Sequence, residues 1–328
     1  MLPPLDALLD AAVAYRVPLR VRFRGVDHRE GLLVHGPAGW GEFAPFAEYG
    51  PREASRWLAA AIEAAWVGWP TPVRTRVPVN VVVPAVDAAR ARDLVVESSC
   101  STAKVKVAEP GQSLDDDVTR VAAVRAALGP SGRLRVDANG AWPVAAAVDA
   151  LRALGAFGLE YVEQPCSTVA ECAQLRRLVE VPVAVDEGLR KAADPLHVEQ
   201  LREAADVLVL KVPPLGGVRP ALRVAASYGL PCVVSSALDT SVGLAAGVAL
   251  AAALPELPYA CGLGSALLLK NDVTASRCTP QGGVLEVGSV APWQPLPPAV
   301  AVDADGLAAW RRRLRDAYLV LAAEEGAP

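Results

Sequence analysis

The sequence predicts an α/β protein, a closed parallel barrel of alternating strands and helices preceded by a small α+β unit. Three observations carry that expectation. Short apolar runs recur from about residue 76 onward, each four to eight residues long. Ala/Leu/Arg-rich stretches of helical character, such as "DDDVTRVAAVRAAL" and "WPVAAAVDALRALG", separate them. Eight such runs over one stretch of chain favour closure into a barrel. An open doubly wound sheet would want a glycine-rich loop after its first strand, and "VVVPAVDAA" offers none.

The elements follow in order. "VPLRVRFRG" (17–25) and "HREGLLVHG" (28–36) read as strands with a tight connection, and "PAGWGEFAP" (37–45) as a turn and a third strand. "REASRWLAAAIEAAW" (52–66) has helical spacing and starts just after Pro51. The barrel strands are expected at 77–84, 102–107, 133–140, 159–165, 183–188, 207–214, 232–238 and 259–264. "VGLAAGVALAAAL" (242–254) stops at Pro255 after 13 residues. A membrane-spanning helix needs about 18–20, so this one is expected to be buried in protein. Residues 278–328 carry "GGVLEVGS", a proline-rich stretch and a charged helix, "GLAAWRRRLRDAYLVLAAEE". The expected organisation is 1–75 as an α+β capping unit, 76–277 as the barrel, and 278–328 returning to the first unit.

Composition narrows the function classes. The chain of 328 residues is 52% hydrophobic with a mean hydropathy of +0.28, enough for a large core, and its formal net charge is −4. No Lys/Arg run forms a stripe that could track phosphates, so no nucleic acid is expected as a partner. No membrane segment, signal peptide or obligate protein partner is inferred. Cysteines 100, 166, 172, 232, 261 and 278 form no CxxC pair; reduced thiols in the cytoplasm are the expectation.

The charges lie where the apolar runs end. In a parallel barrel, ligands sit at the C-terminal ends of the strands. Those ends carry Lys104 and Lys106, Asp137 and Asn139, Glu163, Asp186 and Glu187, Lys211, Ser235 and Ser236, and Gly262. Asp137, Glu163, Asp186 and Lys211 are separated by 26, 23 and 25 positions, about one strand-plus-helix unit each. Any one of them has an ordinary reading: a lone Asp after a strand is commonly a helix cap, a lone Lys reaches to water, and Asn139-Gly140 is a turn signal. The joint spacing is harder to obtain that way. Three carboxylates at one mouth repel unless a cation sits among them. Hard oxygen donors without His or Cys suit Mg²⁺, with Mn²⁺ as the alternative ion. Side chains alternate along a strand, so Lys104 and Lys106 share one face. Lys211 stands four strands further round the ring, facing them.

The motifs "KVK" (104–106), "VDANGAW" (136–142), "VEQP" (162–165), "VDEG" (185–188) and "LKVPPLGG" (210–217) together resemble the enolase superfamily, in its muconate-lactonizing subgroup. The resemblance spans nearly the whole chain. It implies a modified (β/α)7β TIM-type barrel with an α+β capping domain built from both termini. It also implies Asp137, Glu163 and Asp186 as Mg²⁺ ligands, Lys106 as the acid/base catalyst, Lys211 as the lysine opposite and Lys104 as an accessory charge. Within the subgroup, "RFRG…REGLLV…GWGEFAPFAEYGP" (22–51) and "VVSSALDTSVGL" (233–244) resemble actinobacterial members. Those members carry out syn dehydration of the carboxylate 2-succinyl-6-hydroxy-2,4-cyclohexadiene-1-carboxylate to o-succinylbenzoate in menaquinone biosynthesis. Backbone around Ser235, Ser236 and Gly262 is expected to hold the succinyl carboxylate, and the loop near residues 22–26 to close over it. The chain departs from many relatives at Asp239, where they carry Glu. Two other readings stand beside this one: N-acylamino acid racemase or dipeptide epimerase on the same scaffold, and a catalytically silent barrel that binds. A dipeptide epimerase should carry a DxD-like motif after strand eight, and "CGLGSA" (261–266) has none.

Overall fold

In the computed structural model, residues 2–23 and 25–326 are described, Glu325 by its backbone alone. The first sheet is antiparallel, of β1 (Ala12–Phe23), β2 (Val26–Gly36) and β3 (Gly39–Phe43). β1 begins five residues before the expected start because Ala12 and Ala14 already turn inward on the sheet's buried face. Its pairing with β2 becomes irregular after Pro18, which has no N–H to donate. The helix Pro51–Ile62 takes Pro51 as its first residue rather than starting after it, since a proline there loses no hydrogen bond. A wide turn, Glu63–Val67, continues it.

The expected strand 77–84 is two strands. β4 (Arg76–Pro78) pairs antiparallel with β12 (Val284–Glu286), and only β5 (Val81–Val83) joins the barrel. The chain divides at Val79 and Asn80, whose N–H groups donate to different partners, Gly283 O and Cys261 O. Six more parallel strands follow: β6 (Thr102–Lys106), β7 (Arg133–Asp137), β8 (Leu159–Glu163), β9 (Val183–Val185), β10 (Val207–Leu210) and β11 (Cys232–Val234). Their order in the sheet is their order in the chain.

The eighth expected strand, 259–264, forms no ladder. Two isolated parallel bridges, Val79 to Cys261 and Ser235 to Gly262, close the ring in its place. Cys261 N donates to Pro78 O at 2.7 Å, and Gly262 N to Val234 O at 2.8 Å. A Cβ at 262 would stand 2.6 Å from Ser235 Oγ, so any larger residue there would displace that hydroxyl.

The strands are buried on both faces, so their period of two sorts side chains between barrel interior and helix shell. Ala103, Val105, Leu134, Val136, Val162, Val183, Val185, Leu208 and Leu210 belong to the core shared with the outer helices. Tyr161, Ala184, Val207, Val209 and Val233 fill the interior below the mouth. Lys211 is the next inward position after Val207 and Val209, which explains an ammonium at the end of an apolar run. The helix Ser241–Ala253 is buried along nearly its whole length, as expected. The helix Ala304–Gly326 lies against the helix Pro51–Ile62 and β1. It shares a second core with the N-terminal sheet, which includes Leu314, Ala317, Phe43 and Trp57.

Candidate active site

The inward register gathers the charges on one layer. Lys106 pairs with Asp137, Asp137 with Glu163, and Glu163 with Ala184, two residues before Asp186. Lys106 Nζ donates to Asp137 Oδ2 and to Asn139 Oδ1, both at 2.6 Å. Lys104 Nζ donates to Glu163 Oε1 at 2.7 Å and stands 3.1 Å from Asp137 Oδ2. Lys211 Nζ donates to Asp186 Oδ2 at 2.5 Å. All three lysines border a pocket whose wall includes Asn139, Ser235 and Ser236, with Phe23 brought from β1 and Phe46 from the loop after β3. Lys106 lies 5.6 Å from the centre of the Phe23 ring.

Burial and neighbouring charge set the ionisation of this layer. Burial alone would raise the Asp137 pKa, but Lys106 and Lys104 outweigh it and hold the carboxyl well below the usual range. Asp186 is held down in the same way, against its burial, by Arg190 and Lys211. Glu163 goes the other way. Burial, reinforced by the Asp137 charge, exceeds the help of Lys104 and pushes it up to about 7. Burial opposes charge on Lys104, yet Glu163 and Asp137 overcome it and raise its pKa.

Two family models match. One, described as enolase C-terminal domain-like, covers residues 86–292, and one described as enolase N-terminal domain-like covers 14–65. The chain belongs to the enolase superfamily. The o-succinylbenzoate synthase of Thermobifida fusca (strain YX) is 61% identical over 301 residues, 92% of this chain and 94% of that one. The protein of the same name from Mycobacterium tuberculosis (strain ATCC 25618 / H37Rv) is 51% identical over 323 residues, 98% of each chain. Among solved structures, the muconate lactonizing enzyme from Pseudomonas putida superposes with a TM-score of 0.72 at 20% identity, covering 91% of this chain and 98% of that one. A dipeptide epimerase from Enterococcus faecalis V583, complexed with Mg and a dipeptide, gives 0.70 at 21%, covering 89% and 98%. These structures share the barrel-and-cap fold of the superfamily.

The residues singled out by sequence meet at the mouth of this enolase-type barrel. Lys104, Lys106, Lys211, Asn139, Glu187, Ser235, Ser236 and Gly262 border the pocket. Asp137, Glu163 and Asp186 are buried beneath the ammonium groups. Asn139 serves the turn as well: its φ of 47° and that of 78° at Gly140 turn the chain back beside Lys106. Asp239 lies buried behind the Ser235 wall and accepts a bond from Ala237 N. Arg24, in the loop expected to close over the substrate, lies outside the described residues. Arg190 was missed, although it stands three and four positions after Glu187 and Asp186, the spacing of a helical ion pair. Phe23, within the stretch 22–26, borders the pocket, whereas Phe46, in the loop after β3, was missed, because a lone aromatic there reads as core.

Superfamily membership implies a divalent cation. Among the described residues no three His, Cys, Asp or Glu side chains form a ready cage. Each of the three carboxylates is closed on an ammonium instead. The donor set nonetheless fits a hard cation: three buried carboxylates on adjacent strands, with Glu163 raised by burial and then by the Asp137 charge beside it. Glu187 Oε2, next to Asp186, is buried with no hydrogen-bond partner among the described residues.

Proposed function

We propose that this chain acts as an o-succinylbenzoate synthase, a hydro-lyase that dehydrates 2-succinyl-6-hydroxy-2,4-cyclohexadiene-1-carboxylate to o-succinylbenzoate. The observation that carries the reading is the pairing of near full-length identity to relatives of that name with a pocket in which Lys106 and Lys211 flank three buried carboxylates. Asp137, Glu163 and Asp186 would hold a divalent cation, Mg²⁺ in this reading, which supplies Lewis-acid polarisation of the substrate carboxylate.

The chain's own residues do the rest. Lys106 takes the proton from the carbon next to the carboxylate. Asp137 and Asn139 hold its nitrogen in place, and the Phe23 ring covers it. The electron pair spreads into the carboxylate, and Lys211 faces the negative charge from the other side. Hydroxide then leaves from the adjacent carbon on the same face, and Lys106 returns its proton to it as water. The ring becomes aromatic, so elimination runs downhill. Lys104, more deeply buried than Lys106, stands between Glu163 and Asp137 as an accessory charge. Ser235, Ser236 and Gly262 are assigned to the succinyl carboxylate. The working division remains a capping unit of 1–75 with 278–328, around a barrel of 76–277. The activity is assigned to menaquinone biosynthesis in the cytoplasm.

The test is the loss of substrate absorbance with purified protein and Mg²⁺. Lys106→Ala should cut kcat by about 10²–10⁴ while the protein stays folded. Retained turnover would remove Lys106 as the base. A second reading has its own observation, because both lysines reach the pocket, as two-base racemisation requires. Solvent exchange of the α-proton in both enantiomers of an N-succinyl amino acid, as fast as dehydration, would favour it.

A further inference from the structure

Asp186 has two cationic partners of unlike character. Lys211 reaches Oδ2 from a flexible stem that borders the pocket, and its ammonium donates to no other side chain among the described residues. Arg190 reaches Oδ1 and is fixed on all three of its nitrogens. Nε donates to Asp186 Oδ1 at 2.9 Å, Nη2 to Glu187 Oε1 at 2.6 Å and Nη1 to Tyr49 OH at 2.9 Å. A guanidinium held at three points gives up little freedom and moves little, whereas an ammonium on a four-carbon stem can leave. Glu187 also offsets the Arg190 charge, so the pair adds little net positive charge beside Asp186 to repel an incoming cation.

Tyr49 belongs to the loop between β3 and the helix Pro51–Ile62, and is therefore part of the N-terminal unit. Its ring is packed edge-on against Phe46 and tilted against Trp57, with centroids 5.9 and 6.0 Å away. The hydrogen bond from Arg190 thus joins residues 141 positions apart and ties the aromatic cluster beside the pocket to a buried carboxylate of the barrel.

We propose that Arg190 is a positioning residue for the cation site, anchored by Tyr49. It holds one edge of Asp186 so that the other oxygen passes from Lys211 to the divalent cation, freeing the Lys211 ammonium for the substrate. This deepens the proposed function and rests on its assignment of Asp186 to the cation.

Calorimetric titration of metal-free protein with MgCl₂ separates the two partners by sign. Arg190→Met should weaken Mg²⁺ binding about 10- to 100-fold, the usual loss when the support of a metal ligand is removed. Tyr49→Phe should weaken it in the same direction by less. Lys211→Met should tighten it, because a competing ammonium is gone. Tighter binding in Arg190→Met as well would make Arg190 a competing charge and overturn the proposal; so would unchanged affinity in both Arg190→Met and Tyr49→Phe. Melting in EDTA shows which variants fold. If Arg190→Met does not, Arg190→Lys carries the test, since a single nitrogen cannot reach three partners that Arg190 meets with three separate nitrogens of a planar fork. Weaker binding by Arg190→Lys supports the role, and wild-type affinity refutes it. Wild-type protein that takes up no Mg²⁺ would remove this proposal and the proposed function together. Wild-type protein that binds and dehydrates normally, with Arg190 variants equal to it, removes only the role of Arg190.

Discussion

The seam between the N-terminal sheet and the barrel holds a buried carboxylate whose ionisation is measurable as stability. Glu42, on β3, accepts hydrogen bonds from Tyr15 OH, from Thr240 N and Oγ1, and from Gly243 N at the start of the helix Ser241–Ala253. Burial, with Asp239 beside it, raises its pKa from the ordinary 4.5 to about 7, against the hydrogen bonds and Arg29. Below pH 4.5 the group is protonated in folded and unfolded chains alike and contributes nothing. Above about pH 7 it is ionised in both, and the folded state carries the whole cost. Between these limits the unfolded chain loses its proton first, so stability falls as pH rises. At 1.36 kcal/mol per pH unit the full cost is about 3 kcal/mol, of which roughly 2.5 falls between pH 5 and pH 8. Glu42→Gln abolishes this titration. The difference in urea-unfolding free energy between wild type and Glu42→Gln should therefore shift by roughly 2.5 kcal/mol between those pH values, with wild type losing ground at pH 8. Parallel pH profiles for the two proteins would refute the reasoning. In Asp239→Asn the shift should shrink, because a like charge has gone.

Three other perturbations have defined outcomes. A Cβ at Gly41 would overlap the backbone of Ala61 in the helix behind β3, so Gly41→Ala should cost about 1–3 kcal/mol or more, read as a lower Tm. Glu63 accepts from Val218 N and Arg219 N at the start of the helix Val218–Tyr228 and pairs with the Arg219 guanidinium at 2.9 Å. Glu63→Ala should lower the unfolding free energy by about 1–2 kcal/mol in urea titrations. Mg²⁺ at a hundred times its Kd should add about 2.7 kcal/mol to stability, and EDTA should reverse the gain; a Tm indifferent to both would contradict the cation site.

Much of the site is legible in the chain because two of its causes are local. A strand alternates its faces, so "VLVLK" already places Lys211 inward with Val207 and Val209, and "KVK" places Lys104 and Lys106 together. The recurrence of charge at one strand-plus-helix interval then sets those positions at one end of the ring. Ladder lengths were less legible. The expected runs 183–188 and 207–214 stop pairing at Val185 and Leu210, one residue before Asp186 and Lys211, because those two residues cap the short helices Glu187–Arg190 and Val212–Leu215. The eighth run has strand composition, but the ring needs only two bridges to close there.

The sequence alone determined the alternation of strands and helices, the shared face of Lys104 and Lys106 and seven of the charged residues at the barrel mouth, because each depends on neighbours within one β/α unit. Tertiary structure alone decided the long-range partners of these polar groups. Lys104 bonds Glu163 across 59 positions, Arg190 bonds Tyr49 across 141 and Glu42 receives Thr240 across 198. No periodicity encodes such partners. They are fixed when burial strips water from each charged group and the closed ring leaves one another's side chains as the groups within reach.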